Sequence, residues 1–184
     1  MSAKSRRCAL LAAMAVAFIG PVWAAEMTDA ELIANAVSAA PTAVGTNATV
    51  VTFDEQMQMK TLREGTNGFT CMPDNLASPT NDPICVDAGG MAWLTAYSEK
   101  KDPPAGQVGF GYMLQGESAP DNVDPFATEP PAGHEWMVDG PHVMIFNVNT
   151  EMLAGYPQPE HPDHTQPYVM WPNTPYAHLM IPVH

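Results

Sequence analysis

The chain of 184 residues carries 7 Lys+Arg against 20 Asp+Glu, is 46% hydrophobic, and holds 19 Pro, 13 Gly, 13 Met and 3 Cys. That length suits one globular domain with an appended segment, and the apolar share is enough for a core despite the proline. A formal net charge of −13 argues against nucleic acid and anionic lipid as partners, because both demand a basic surface.

The first 25 residues read as a secretory signal peptide. Lys4, Arg6 and Arg7 form a basic start, residues 9–19 an apolar stretch, Gly20-Pro21 a break, and Val22-Trp23-Ala24-Ala25 a small-residue ending. The apolar stretch is shorter than the ~20 residues that span a bilayer. Cleavage near Ala25 then leaves residues 26–184 as a single exported domain, periplasmic or secreted, with no transmembrane anchor. Cys8 precedes the apolar run, the wrong place for a lipid acceptor, and Ser5-Arg6-Arg7 touches the twin-arginine export pattern. The mature chain keeps four basic residues, Lys60, Arg63, Lys100 and Lys101, against all 20 acids, a formal charge of −16.

Thr28-Asp29-Ala30-Glu31 fits a capping box, and Leu32, Ile33, Ala36, Val37 and Ala40 recur at helical spacing until Pro41, which predicts a helix over 29–40. Residues 48–53 are apolar and β-branched, 57–62 alternate, and 64–68 turn the chain into 69–71, a pattern that predicts an antiparallel meander. Cys71 and Cys85 are the only cysteines left after cleavage, so an oxidising compartment predicts a disulfide between them. The loop it closes is rich in Pro, Asn and Asp and builds no core of its own. Asp87 caps a second predicted helix over 89–100.

Residues 107–114 carry Val108, Phe110, Tyr112 and Leu114 at period two with Gly109 and Gly111 between, a strand closely approached by other backbone or by a ring. Residues 115–141 read as a long loop, and 142–146 as an apolar central strand. One helical turn over 149–153, a Pro-rich segment over 156–167 and short strands over 168–171 and 177–183 complete the chain. The fold class expected is α+β: an antiparallel sheet with two main helices packed on one side, long Pro/Gly-rich loops and one disulfide.

The run of residues 60–74, KTLREGTNGFTCMPD, with GPHVMIFN at 140–147 and PYVMWP at 167–172, resembles a family of uncharacterised exported bacterial proteins over most of the mature chain. The resemblance implies an envelope protein and carries no assigned activity.

Candidate chemistry is sparse. His142-Val143-Met144 and His178-Leu179-Met180 each put His and Met on one face of a predicted strand, and two imidazoles with two thioethers would suit copper if the strands were neighbours. Met57 and Met59 form a third same-face pair, of two methionines. Methionine also fills irregular cores, so packing is the competing explanation. His161, Asp163 and His164 place two imidazoles and a carboxylate in a loop, a second metal candidate. Asp74, Asn75, Asn81, Asp82 and Asp87 offer oxygen ligands without the spacing of a calcium loop, and Asx residues equally serve turns. His134 with Glu135 or Asp139 is an acid/base pair only if folding brings them together. The recognisable nucleophile, zinc-protease, phosphate-loop, thiol-redox and haem motifs are missing from the sequence. The expectation is an exported binding or accessory module, with copper binding as the alternative and an enzyme of unrecognised active site behind it.

Overall fold

The computed structural model describes residues 27–183 apart from positions 55, 57 and 75. The leader, Met57 and Asn75 therefore lie outside the described residues. Among these residues no helix is long and apolar enough to cross a membrane.

Helix α1 (Asp29–Val37) begins at the expected box: the Thr28 hydroxyl accepts from the Glu31 amide at 3.3 Å while Glu31 Oε2 accepts from the Thr28 amide at 2.8 Å. It ends three residues earlier than its periodicity suggests, and a one-turn α2 (Thr42–Gly45) follows Pro41. Strands β1 (Thr49–Phe53), β2 (Met59–Arg63), β3 (Thr70–Met72) and β4 (Ile84–Val86) precede α3 (Ala88–Ser98). Then come β5 (Gly109–Met113), β6 (Glu117–Ala119), β7 (Met137–Asp139), β8 (His142–Phe146), α4 (Thr150–Leu153), β9 (Tyr168–Met170) and β10 (His178–Pro182). Eight strands form one sheet in the order β2-β1-β3-β4-β5-β8-β10-β9, and β6 with β7 makes a separate ribbon.

Two features of the expected architecture are corrected. The sheet is mixed, because β1 and β3 are parallel. β2 hairpins onto one side of β1 and the chain then crosses the end of β1 to place β3 on its other side, so two strands of like direction become neighbours. Gly65 makes that crossing: a Cβ there would stand 2.1 Å from the Thr49 nitrogen. Nor do the two main helices share a side. α1 packs on Val50, Cys71 and Cys85 with Tyr112 beside them, whereas α3 packs through Trp93 on Val86, Met144 and Phe146, which alternate onto the opposite face. Each face of a sheet this wide needs its own cover, and α4 with Leu153 adds to the α1 side over Val169 and Leu179.

Cys71 and Cys85 are bonded, as expected, and stand directly opposite each other on β3 and β4 with Cα atoms 4.0 Å apart. In the chain-entropy model a bridge over such a loop stabilises by roughly 3 kcal/mol. Asp87 caps α3 by accepting from the Gly90 amide at 2.8 Å, and the same oxygen accepts from the Phe110 amide at 3.0 Å, so the cap also ties the helix to β5.

Candidate functional site

The site grows out of a bend. β5 and β8 pair up to Met113 opposite His142, and the ladder resumes in β6 and β7 with Glu117 opposite Asp139. Between them Gly116 has φ +89°, and a Cβ would meet the Asp139 carbonyl at 2.4 Å. Only glycine allows that corner. The ribbon folds onto the α3 side, where Ala119 and Met137 join the Met-rich core, and the alternation points Glu117 and Asp139 inward with them.

Asp139 is the hub. At 4% exposure its two carboxylate oxygens take separate donors: Tyr168 Oη donates to Oδ2 at 2.8 Å, and His164 Nδ1 lies 2.8 Å from Oδ1. Burial, then the nearby acids, raise the Tyr168 phenol, so it stays a donor. His164, with its Nδ1 held by a carboxylate, keeps Nε2 free of that contact, the tautomer that serves a base or a ligand. The chain of contacts runs from half-buried His164 at the surface to Tyr168 in the core.

Beside this hub sits a second pair. Glu117 Oε1 and His142 Nε2 face each other at 3.9 Å, both sealed from solvent and neither with a hydrogen-bond partner. His142 Nδ1 is 2.8 Å from the Gly140 carbonyl, which only accepts, so Nδ1 carries the hydrogen and Nε2 presents a lone pair. Burial lowers the His142 imidazole against the opposing pull of that carbonyl and the acids. Burial first, then Asp139 and Asp82, push Glu117 up to about 8. Asp82 accepts from the hydroxyls of Ser78 and Thr80, and Thr80 reaches Ser118 on the ribbon at 2.8 Å.

The first metal candidate is half assembled. β8 and β10 are antiparallel neighbours, and Met144 stands directly opposite Met180. The histidines do not meet: His142 lies opposite Pro182, four residues along β10 from His178, about 13 Å at the strand rise of ~3.3 Å per residue. The register therefore does not set the two histidines side by side. His178 is instead boxed by Trp93, Trp171 and Phe146 with ring centroids at 5.1 to 5.3 Å, its Nδ1 2.9 Å from the Tyr176 carbonyl. Burial holds it down to about 4, so it is neutral.

The second candidate is dispersed. Asp163 Oδ1 accepts from the Thr165 amide and hydroxyl, which hold its carboxyl below the usual range, His164 turns inward to Asp139, and His161 stacks on His134. The Asp and Asn side chains of the disulfide loop serve the chain itself: Asp74 accepts from the Leu76 amide, and Asn81 accepts from Asn35. Asp139 joins His164 rather than His134. Among the described residues no three His, Cys, Asp or Glu side chains are placed to hold a metal ion together.

The loops make one further convergence. His134 and His161 stack with centroids 5.2 Å apart and planes 22° from parallel. They line a cavity of about 20 Å³ together with Asp121, Glu135, Glu160, Pro120, Pro131 and Met137. Asn122 fixes the underlying loops, donating to the Pro159 and Val169 carbonyls and accepting from the Trp171 amide.

Reasoning from sequence passed over Glu117, Tyr168 and the Asp139–His164 contact. Strands β6 and β7 have three residues each, too few for an alternation to register, and Tyr168 reads as an ordinary strand aromatic. Compared with protein-family models, curated proteins and solved structures, the chain finds no match in any of the three.

Proposed function

We propose that the chain is an exported binding or accessory module of the cell envelope, and that it engages a small organic cation or a cationic side chain where Asp121, His134, Glu135, Glu160 and His161 converge. The observation that carries this reading is the exposed, stacked His134–His161 pair, which lines one water-sized cavity with three carboxylates, so that a cation would sit on its outer rim. Imidazole planes offer π faces to a guanidinium or ammonium group, and the carboxylates complement its charge. The acidity of the chain draws such ligands over a longer range. Support for export comes from the basic, apolar and small-residue order of residues 1–25 and from a disulfide that an oxidising compartment would preserve.

Titration of the purified mature protein with arginine amide, followed through the imidazole proton signals, tests the assignment. Saturable shifts should be confined to His134 and His161 and disappear in a Glu135→Gln, Glu160→Gln variant. An uncharged amide of similar size should move nothing. Unshifted His134 and His161 signals at saturating arginine amide would refute the cation site. Broadening of both by Zn(II) in their place would transfer the surface to a metal-binding reading.

A further inference from the structure

We propose that Glu117 and His142 act as a proton-operated latch, one proton held between them keeping the β6–β7 ribbon on the sheet and its loss releasing the ribbon. The geometry leaves little choice. The Gly140 carbonyl fixes the hydrogen on His142 Nδ1, so Nε2 offers only a lone pair to Glu117 Oε1, 3.9 Å away and without another partner. With a proton on Glu117, an acid O–H faces an acceptor nitrogen. With the proton moved to Nε2, a carboxylate faces an imidazolium. Both arrangements hold one proton and no net charge. Remove it, and an anion faces a lone pair inside the protein, the combination that burial penalises most.

The surroundings offer no substitute. Asp139 faces the pair from β7, Asp82 from the disulfide loop, Tyr168 from β9 and Tyr97 from α3, while His164 is committed to Asp139 and His142 in turn acts on His178 in β10. No Lys or Arg is among them. These neighbours agree with a Glu117 carboxyl pushed up to about 8 and a His142 imidazole pushed down. The ribbon pairs only within itself, with three residues per strand and a glycine corner at Gly116. A two-stranded ribbon is marginal by itself. Its departure would carry Asp139 away from Tyr168 and His164 and uncover the methionines beneath, so the same proton would also hold the Asp139–His164 contact in place.

Hydrogen exchange of the ribbon amides in the full mature chain, corrected for intrinsic rates, reads the latch. Because Glu117 in the open ribbon returns to an ordinary carboxylate pKa, opening should rise about tenfold per pH unit between 6.5 and 7.5 and level off above 8. Core amides of β5 and β8 should not follow. Glu117→Gln supplies an N–H donor to Nε2 that no longer titrates, and should flatten the dependence. Should that variant fail to fold, the ¹³C signal of the Glu117 carboxyl in the unaltered protein gives a second reading, with a midpoint near 8 expected. Ribbon exchange that stays flat over this range, exchange that rises equally across the core, or a carboxyl midpoint near the usual 4.5 would each overturn the latch.

Discussion

Gly109 of β5 lies against the backbone of Gly90 in α3 so closely that a Cβ on Gly109 would stand 2.2 Å from the Gly90 nitrogen and 2.5 Å from the Gly89 carbonyl carbon. The alternation of 107–114 called for such an approach, and two residues on, Gly111 meets the ring of Phe146, 2.9 Å from where its Cβ would be. Strand and helix here touch backbone to backbone, which is how Trp93 reaches Phe146 at a centroid distance of 4.7 Å.

Replacement of Gly109 by alanine should therefore destabilise the protein by about 3 kcal/mol, the upper end of overpacking costs, since the obstructing atoms are backbone and have no rotamer to change. Gly140 has nothing within 4 Å of its missing Cβ, and Gly140→Ala should stay within about 0.5 kcal/mol. Urea unfolding of the two variants decides the matter: equal stabilities would show that the helix shifts freely.

Asn122 is fully buried and spends its side chain on three backbone groups, the Pro159 carbonyl at 2.7 Å, the Val169 carbonyl at 3.1 Å and the Trp171 amide at 2.9 Å. Trp171 itself has φ +52°, uncommon for a bulky residue. Asn122→Ala leaves those groups unpaired and should cost on the order of 3 kcal/mol. It should also raise proteolytic cleavage within 157–167. Loss below about 1 kcal/mol would mean that water replaces the amide with little penalty.

His178 makes acid stability testable. Its imidazole is held down to about 4 by burial, so the unfolded chain binds its proton first as pH falls below 6.5. The stabilisation from its neutral form is complete above 6.5 and disappears as pH drops through about 4. Glu117 has the opposite sign, its contribution complete below 4.5 and lost as pH rises through about 8. Between 4.5 and 6.5 the two slopes oppose each other. His178→Gln removes one of them, so the variant should be less disadvantaged against the unaltered protein at pH 4.5 than at pH 6.5 in paired urea unfolding curves. A difference independent of pH would show that His178 carries a proton in the folded state.

Much of the local structure was legible. The capping box at Thr28 and Glu31, the cap at Asp87, the pairing of Cys71 with Cys85, and β8 as an interior strand all follow from signals contained within a few residues: a side chain returning to its own backbone, a lone pair of cysteines, a run of apolar residues. Those signals are local because the forces behind them are local.

The candidate site was not legible, for a related reason. His142 was singled out, but for a partnership with His178 that the register of β8 on β10 disallows, while its actual neighbour Glu117 sat in a stretch read as loop. His161 and His164, three apart in sequence, face different partners, His134 and Asp139. The sequence by itself determined the disulfide and the capped starts of the two main helices. Tertiary structure alone decided that β3 crosses to the far side of β1, that α1 and α3 cover opposite faces, and that a glycine corner turns Glu117 and Asp139 inward. Strand order and burial depend on residues far apart in the chain, and the energies that fix them arise only when distant surfaces are brought out of water together.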